Sequence, residues 1–89
     1  MKINKNADKS PVFETADFYL SVYMYAKGFD FVGAKPDQND SRRQIFIFNT
    51  KESKALELQQ SYYDGTGMVS MKKVKHAIND LKSIIHQNK

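Results

Sequence analysis

Arg42-Arg43-Gln44-Ile45-Phe46-Ile47-Phe48-Asn49 is the stretch on which the fold turns. From Ile45 to Phe48, β-branched and aromatic residues alternate without a polar break, which is the composition of an extended strand. Side chains alternate across a strand, so Ile45 and Ile47 share one face and Phe46 and Phe48 the other. Both faces are apolar, and both ask for cover. Two arrangements meet that demand. Helices can lie on both sides of the sheet, or one aromatic face can stay open as a platform for bases or a partner.

Immediately upstream, Lys35-Pro-Asp-Gln-Asn-Asp-Ser41 is dense in turn formers, and residues 29–34 before it read as a second strand. The two strands and this loop make a hairpin. Further back lies a helical stretch. Thr15 is placed to cap it, and Asp17 falls in the first turn, where the helix dipole favours a negative charge. Phe18, Tyr19, Leu20, Val22, Tyr23, Met24, Tyr25 and Ala26 fill it, and Lys27-Gly28 stops it. A helix this apolar is buried on most sides, as a central helix or under a partner.

Downstream, Asn49-x-x-Glu52 has the spacing of a capping box and opens a second helix. Its apolar stripe is Ala55, Leu58 and Tyr62, with Leu56 and Tyr63 beside it, and Asp64-Gly65 ends it. The linker 66–69 leaves room for a brief third strand. A third helix starts at Ser70, with Met71, Val74, Ala77, Ile78, Leu81, Ile84 and Ile85 in helical period. The expected architecture is one α+β domain over 12–89, in the order helix, strand, strand, helix, helix. A two-stranded antiparallel sheet, three-stranded if the linker joins it, packs against the helices. Residues 1–11, charged, Asn-rich and closed by Pro11, read as a flexible arm.

A length of 89 residues suits a single domain. The chain has no Cys, so a disulfide framework and thiolate metal sites are excluded. There is no run of about 18 apolar residues and no signal-peptide core, so a cytoplasmic protein is expected. The formal charge is +4, and it is unevenly placed. Lys72, Lys73, Lys75, Lys82 and Lys89 stand against Asp80 alone in the last 22 residues, whereas the middle of the chain is slightly acidic.

Catalysis requires a positioned base, nucleophile or metal. Asp37 and Asp40 fall on the hairpin loop and Glu52 and Glu57 on a Lys-punctuated helix, the pattern of solvated charges. Gly65-x-Gly67 is too short for a phosphate loop. His76 and His86 are separated by nearly three helical turns and cannot share a metal. Ser61 and Ser83 have no evident base. The expectation is therefore no enzyme, no metal and no cofactor.

Two constellations remain. Lys75, Asn79, Lys82 and His86 recur by four, three and four on the third helix, with Lys72 next to that line. Such a stripe can follow a phosphate backbone, and Arg42 and Arg43 can add forked contacts to it. A Lys-rich helix face is equally the ordinary solvated side of a helix. Tyr19, Tyr23, Tyr62 and Tyr63 form the second set, since Tyr joins an apolar body to a polar tip and is frequent at interfaces. Each taken singly also fits a core ring with its hydroxyl at the surface.

Phe13-Glu14-Thr15-x-Asp17-Phe18-Tyr19-Leu20, Ala26-Lys27-Gly28-Phe29, Val32-Gly33, Arg42-Arg43, Phe46-x-Phe48, Tyr63-x-Gly65 and Val69-Ser70, with Ala77 and Leu81-Lys82 after them, together resemble a small domain family of unknown function found in bacteria and their phages. The resemblance spans about 12–85. It departs at Ser41, where the family pattern has Pro before the paired Arg. It implies a small domain in a prokaryotic or mobile-element setting and supplies no activity. The function expected from the residues is an accessory binding module for nucleic acid or a nucleoprotein complex. The alternative is a protein-binding subunit or homodimer using the aromatic surface of the first helix and the strand pair.

Overall fold

The computed structural model describes residues 11–40 and 42–87. Most of the arm expected over 1–11, together with Ser41, therefore lies outside the described residues. The elements are β1 (Phe13–Thr15), α1 (Phe18–Ala26), β2 (Phe31–Pro36), β3 (Gln44–Phe48), α2 (Glu52–Asp64) and α3 (Met71–Gln87). The α+β class and the sequence of helices and strands from α1 onward are as the residues indicate. One strand precedes them.

That strand, β1, corrects the expectation for a third strand at 66–69. The sheet has the order β1-β3-β2, with β3 antiparallel to both neighbours. Phe13 pairs with Phe48 and Thr15 with Phe46 across one edge of β3. Phe31 and Ala34 oppose the same two phenylalanines across the other edge. The unit is thus a strand, a helix and a parallel strand, with β3 inserted between the two. Thr15, expected as the first helix's cap, ends β1 instead, and its hydroxyl accepts a bond from the Asp17 N–H at 3.1 Å. Asp17 takes the capping role, with Oδ1 accepting from the Leu20 N–H at 3.1 Å.

Phe46 and Phe48 are buried on the inner face of the sheet, against Leu20, Met24, Ala55, Ala77 and Leu81 from the helices. All three helices contribute to this one core. The other sheet face carries half-buried Ile45 and Ile47. Neither arrangement drawn from the sequence is present, because the helices cover one face only and the aromatic face is the covered one. The outer isoleucines are screened in part by Glu14 and Lys35, which stand opposite Ile47 and Ile45 and meet in a 3.5 Å ion pair. Long charged side chains can lay their methylenes over an apolar strip while keeping their heads in water.

α1 is the central helix, with Leu20, Ser21, Val22, Tyr23, Met24 and Ala26 buried. Its one buried polar side chain, Ser21, donates to the Asp17 carbonyl at 2.9 Å and so brings no unsatisfied hydroxyl into the core. The Asn49 capping box does not form. Lys51 is the N-cap of α2 without a side-chain bond, and Asn49 is drawn back to the sheet end by bonds to Asp30. At the far end of α2, Gly65 adopts φ +80°, the left-handed stop that the sequence indicates. α3 begins at Met71, just after the expected start at Ser70, whose hydroxyl accepts from the Lys73 N–H at 3.1 Å. No helix among the described residues is long and apolar enough to cross a membrane.

Candidate functional site

α3 decides where the two residue sets of interest can meet. Each helical residue turns about 100°, so Lys72, Lys75, Asn79, Lys82 and His86 occupy an arc of about 80°. That arc lies beside the line of Met71, Val74, Ile78 and Ile85. Ala77 and Leu81, further round, anchor the helix in the core. Lys82 stands beside the start of α1, sharing a depression with Phe18 and Tyr19, whereas Lys72 and Lys75 border a depression lined by α3 alone, and all three are exposed.

Three shallow depressions lie along this side of α3, and each shares one residue with another. The first, of about 540 Å³, is lined by Met71, Lys72, Val74, Lys75, Ile78 and Asn79. The second, of about 280 Å³, is lined by Tyr19, Val22, Tyr23, Tyr62, Val69 and Val74. Phe18, Tyr19, Lys82, Ile85 and His86 line the third. Val74 belongs to the first and second, and Tyr19 to the second and third. Linked only through these two residues, they make a discontinuous groove whose floor is apolar and aromatic, with Lys72 and Lys75 at the part formed by α3 alone and Lys82 at the part shared with α1.

Tyr19, Tyr23 and Tyr62 line it, whereas Tyr63 lies outside its lining. Tyr19 and Tyr63 are 63% and 61% exposed, so their rings are available for contact. Tyr23 is only 7% exposed, and its hydroxyl lies 3.1 Å from Ser61 Oγ. Ser61 Oγ donates to the Leu58 carbonyl at 2.8 Å, so the Tyr23 hydroxyl is the donor of the other bond. Tyr62 is half-buried, edge-on to Tyr63 at 5.1 Å and tilted against Tyr23 at 5.6 Å. Tyr63 is fixed at its tip by donating to Asp17 Oδ2 at 2.9 Å. Asp17 therefore joins the start of α1 to the end of α2.

Electrostatics separates the basic residues into two groups. Among the described residues, no ion pair involves Lys72, Lys75 or Lys82. Arg42 and Arg43, by contrast, sit by the β2–β3 loop and are engaged there. Arg42 Nε is 3.1 Å from Asp40, and Arg43 Nε is 3.9 Å from Asp37. The Arg42 guanidinium and N–H hold the Asp40 carboxyl below its ordinary range. None of the three groove depressions is lined by either arginine.

Comparison with known proteins gives no match. No family model, curated protein or solved structure is significantly similar to the chain. The site's own chemistry is what remains. Among the described residues, no group of three or more His, Asp or Glu is placed to hold a metal ion. His76 and His86 are both exposed on α3. The groove carries cations, aromatic faces and aliphatic floor, a set suited to holding an anionic partner with flat or apolar parts.

What sequence reasoning did not supply is the groove itself. The lysines and tyrosines belong to separate patterns along the chain, and only the packing of α3 on α1 joins them. Met68 and Met71, 81% and 78% exposed beside the groove, also carry no signal at the sequence level, because Met71 follows the period of the core stripe.

Proposed function

We propose that the chain is a non-enzymatic, cytoplasmic accessory module that binds nucleic acid, alone or within a nucleoprotein complex, through the α1–α3 groove. One observation carries this reading: Lys82, which makes no ion pair among the described residues, and the exposed Tyr19 line the same depression. Phosphates attract the Lys72, Lys75 and Lys82 ammonium groups, whose field no neighbouring carboxylate on that rim cancels. Arg42 and Arg43, already engaged by aspartates, are secondary contacts in this reading. We propose further that the chain is akin to the bacterial and phage domain family that its Phe13–Leu20 run and Ala26-Lys27-Gly28-Phe29 resemble.

Fluorescence anisotropy with labelled DNA and RNA at two salt concentrations tests the proposal. Affinity should fall steeply with salt and should collapse in a Lys75→Glu/Lys82→Glu variant that keeps the wild-type circular dichroism spectrum. Undiminished binding by that variant would remove the groove from consideration.

A second reading is favoured by the exposed Met68 and Met71, since exposed apolar surface marks protein contacts as well. A protein partner or second copy would cover this end of the groove. The strand pair contributes little to that reading, because Phe46 and Phe48 are inside the molecule. Light scattering that shows dimers, together with a monomeric Met71→Glu variant, would favour it.

A further inference from the structure

We infer that the nucleic acid taken by the groove is single-stranded, with an unpaired base stacked on Tyr19. This inference rests on the nucleic-acid reading above and specifies its ligand. A duplex presents phosphates outward and keeps its base faces stacked inside. Lysines alone serve a duplex and a single strand about equally, but an exposed aromatic ring serves only bases that are free to leave the stack.

Tyr19 is placed for that task. It projects from the second position of α1, is 63% exposed, and lines two of the depressions. Phe18 meets it edge-on, with ring centroids 5.3 Å apart. The same depression holds Lys82 and His86, so a phosphate near those groups and a base on Tyr19 would belong to adjoining parts of one nucleotide chain. The rim from Lys72 to His86 spans 14 residues of helix, about 21 Å. A stacked strand at 3.4 Å per phosphate would cover that rim with about six nucleotides.

Charge agrees with this placement. The acidic groups nearest the groove keep their negative charge although they are hydrogen-bonded, so a phosphate is favoured on the Lys82 side of Tyr19 and not beside Asp17. Asp17 accepts from the Leu20 N–H and from the Tyr63 hydroxyl. Asp80 lies about 120° round α3 from the centre of the basic arc and accepts from the Tyr25 hydroxyl at 2.8 Å. An acidic amphipathic protein segment would also find cations and apolar floor here. It has less use for a ring whose face is open, and it becomes an outcome of the test.

The test uses the full chain and three probes of equal length: single-stranded oligonucleotide, duplex, and a single strand in which the central bases are replaced by abasic sites. At near-physiological salt, the single strand should bind about tenfold more tightly than the duplex or the abasic strand. Tyr19→Ala should lose that preference while keeping the weaker duplex affinity, and Tyr19→Phe should restore it. Lys82→Glu should weaken all three probes. Equal binding of all three by the wild type, or a Tyr19→Ala variant as selective as the wild type, overturns the single-strand inference and leaves the groove reading standing. No binding to any probe overturns both and directs attention to a protein ligand.

Discussion

At Gly67 the backbone passes so close to the Tyr23 hydroxyl that a Cβ would overlap it. The glycine serves close approach, not a left-handed turn. Its N–H donates to the Ser61 carbonyl at 3.0 Å, while the Tyr23 hydroxyl meets the Ser61 side chain. Gly67→Ala must therefore push a buried ring, at a cost of about 1–3 kcal/mol read from the urea midpoint. In a Tyr23→Phe background, which lacks the nearest clashing atom, the same substitution should cost measurably less. Additive losses would show that the contact is not the cause. Asp17 is the other single residue with reach. Asp17→Ala should cost about 1 kcal/mol for the lost cap and more if the Tyr63 bond contributes, whereas Asp17→Asn keeps the Oδ1 acceptor and should cost less. Tyrosine ionisation gives a pH test with a definite sign. The Asp80 bond raises the Tyr25 hydroxyl above its ordinary value of 10.0, and the Asp17 bond does the same for Tyr63. Groups raised on folding contribute stability that is complete below the unfolded value and lost as pH rises through the folded one. The urea midpoint should therefore fall above about pH 10, and less steeply in a Tyr25→Phe/Tyr63→Phe variant. None of these ties is legible in the sequence, since Asp17 and Tyr63 or Tyr25 and Asp80 come together only through packing. The role of Gly65 was legible, because a left-handed stop is a property of the local chain.

Among the elements, α3 was the most legible and β1 the least. The helical period of α3 runs through Val74, Ala77, Ile78, Leu81 and Ile85, and its lysines fall on the adjoining arc. β1 has three residues and pairs with β3 more than thirty positions away, so it leaves neither an alternation nor a hairpin turn to read. The Asn49 spacing misled for a related reason: a cap signal is local, and the bond to Asp30 across the sheet end prevailed over it. α3 combines two functions on neighbouring arcs, and substitution can separate them. Leu81→Ala, at a fully buried position, should cost about 2–5 kcal/mol in stability. Lys82→Gln, on the rim, should leave the unfolding midpoint within about 0.5 kcal/mol of wild type. For single-stranded nucleic acid it should lower the slope of log affinity against log salt by about 0.7, the share of one phosphate contact. An unchanged slope would place Lys82 away from the bound backbone.

On the scale of the molecule, the one-sided sheet makes stability uneven. α1 lies at the centre, packed against the sheet, α2 and α3, and the core residues of α3 and β3 close on it. α2 is held differently. Ala55 is its one fully buried residue, and its other ties run mostly from its last two turns to α1: Leu58 and Tyr62 at the core edge, Ser61 to Tyr23, and Tyr63 to Asp17. Its first turn has no side-chain cap. Helices with little buried surface open before the rest of the fold, because each loses few contacts on release. Native-state hydrogen exchange should therefore find the α2 amides opening at a free energy well below that of α1 and β3, with the N-terminal half of α2 fastest. Leu58→Ala should speed exchange in α2 while leaving α1 nearly unchanged, and Leu81→Ala should lower the protection of all elements together. The same asymmetry bears on the groove. Tyr62 and Tyr63 belong to α2, so its opening would take two rings from the tyrosine cluster, while Tyr19 stays on the stable α1. A ligand that needs only Tyr19 and the α3 lysines would leave α2 exchange unaltered, whereas one that also covers Tyr62 would slow it. Exchange measured with and without a bound single strand thus reports how far the ligand extends across the groove.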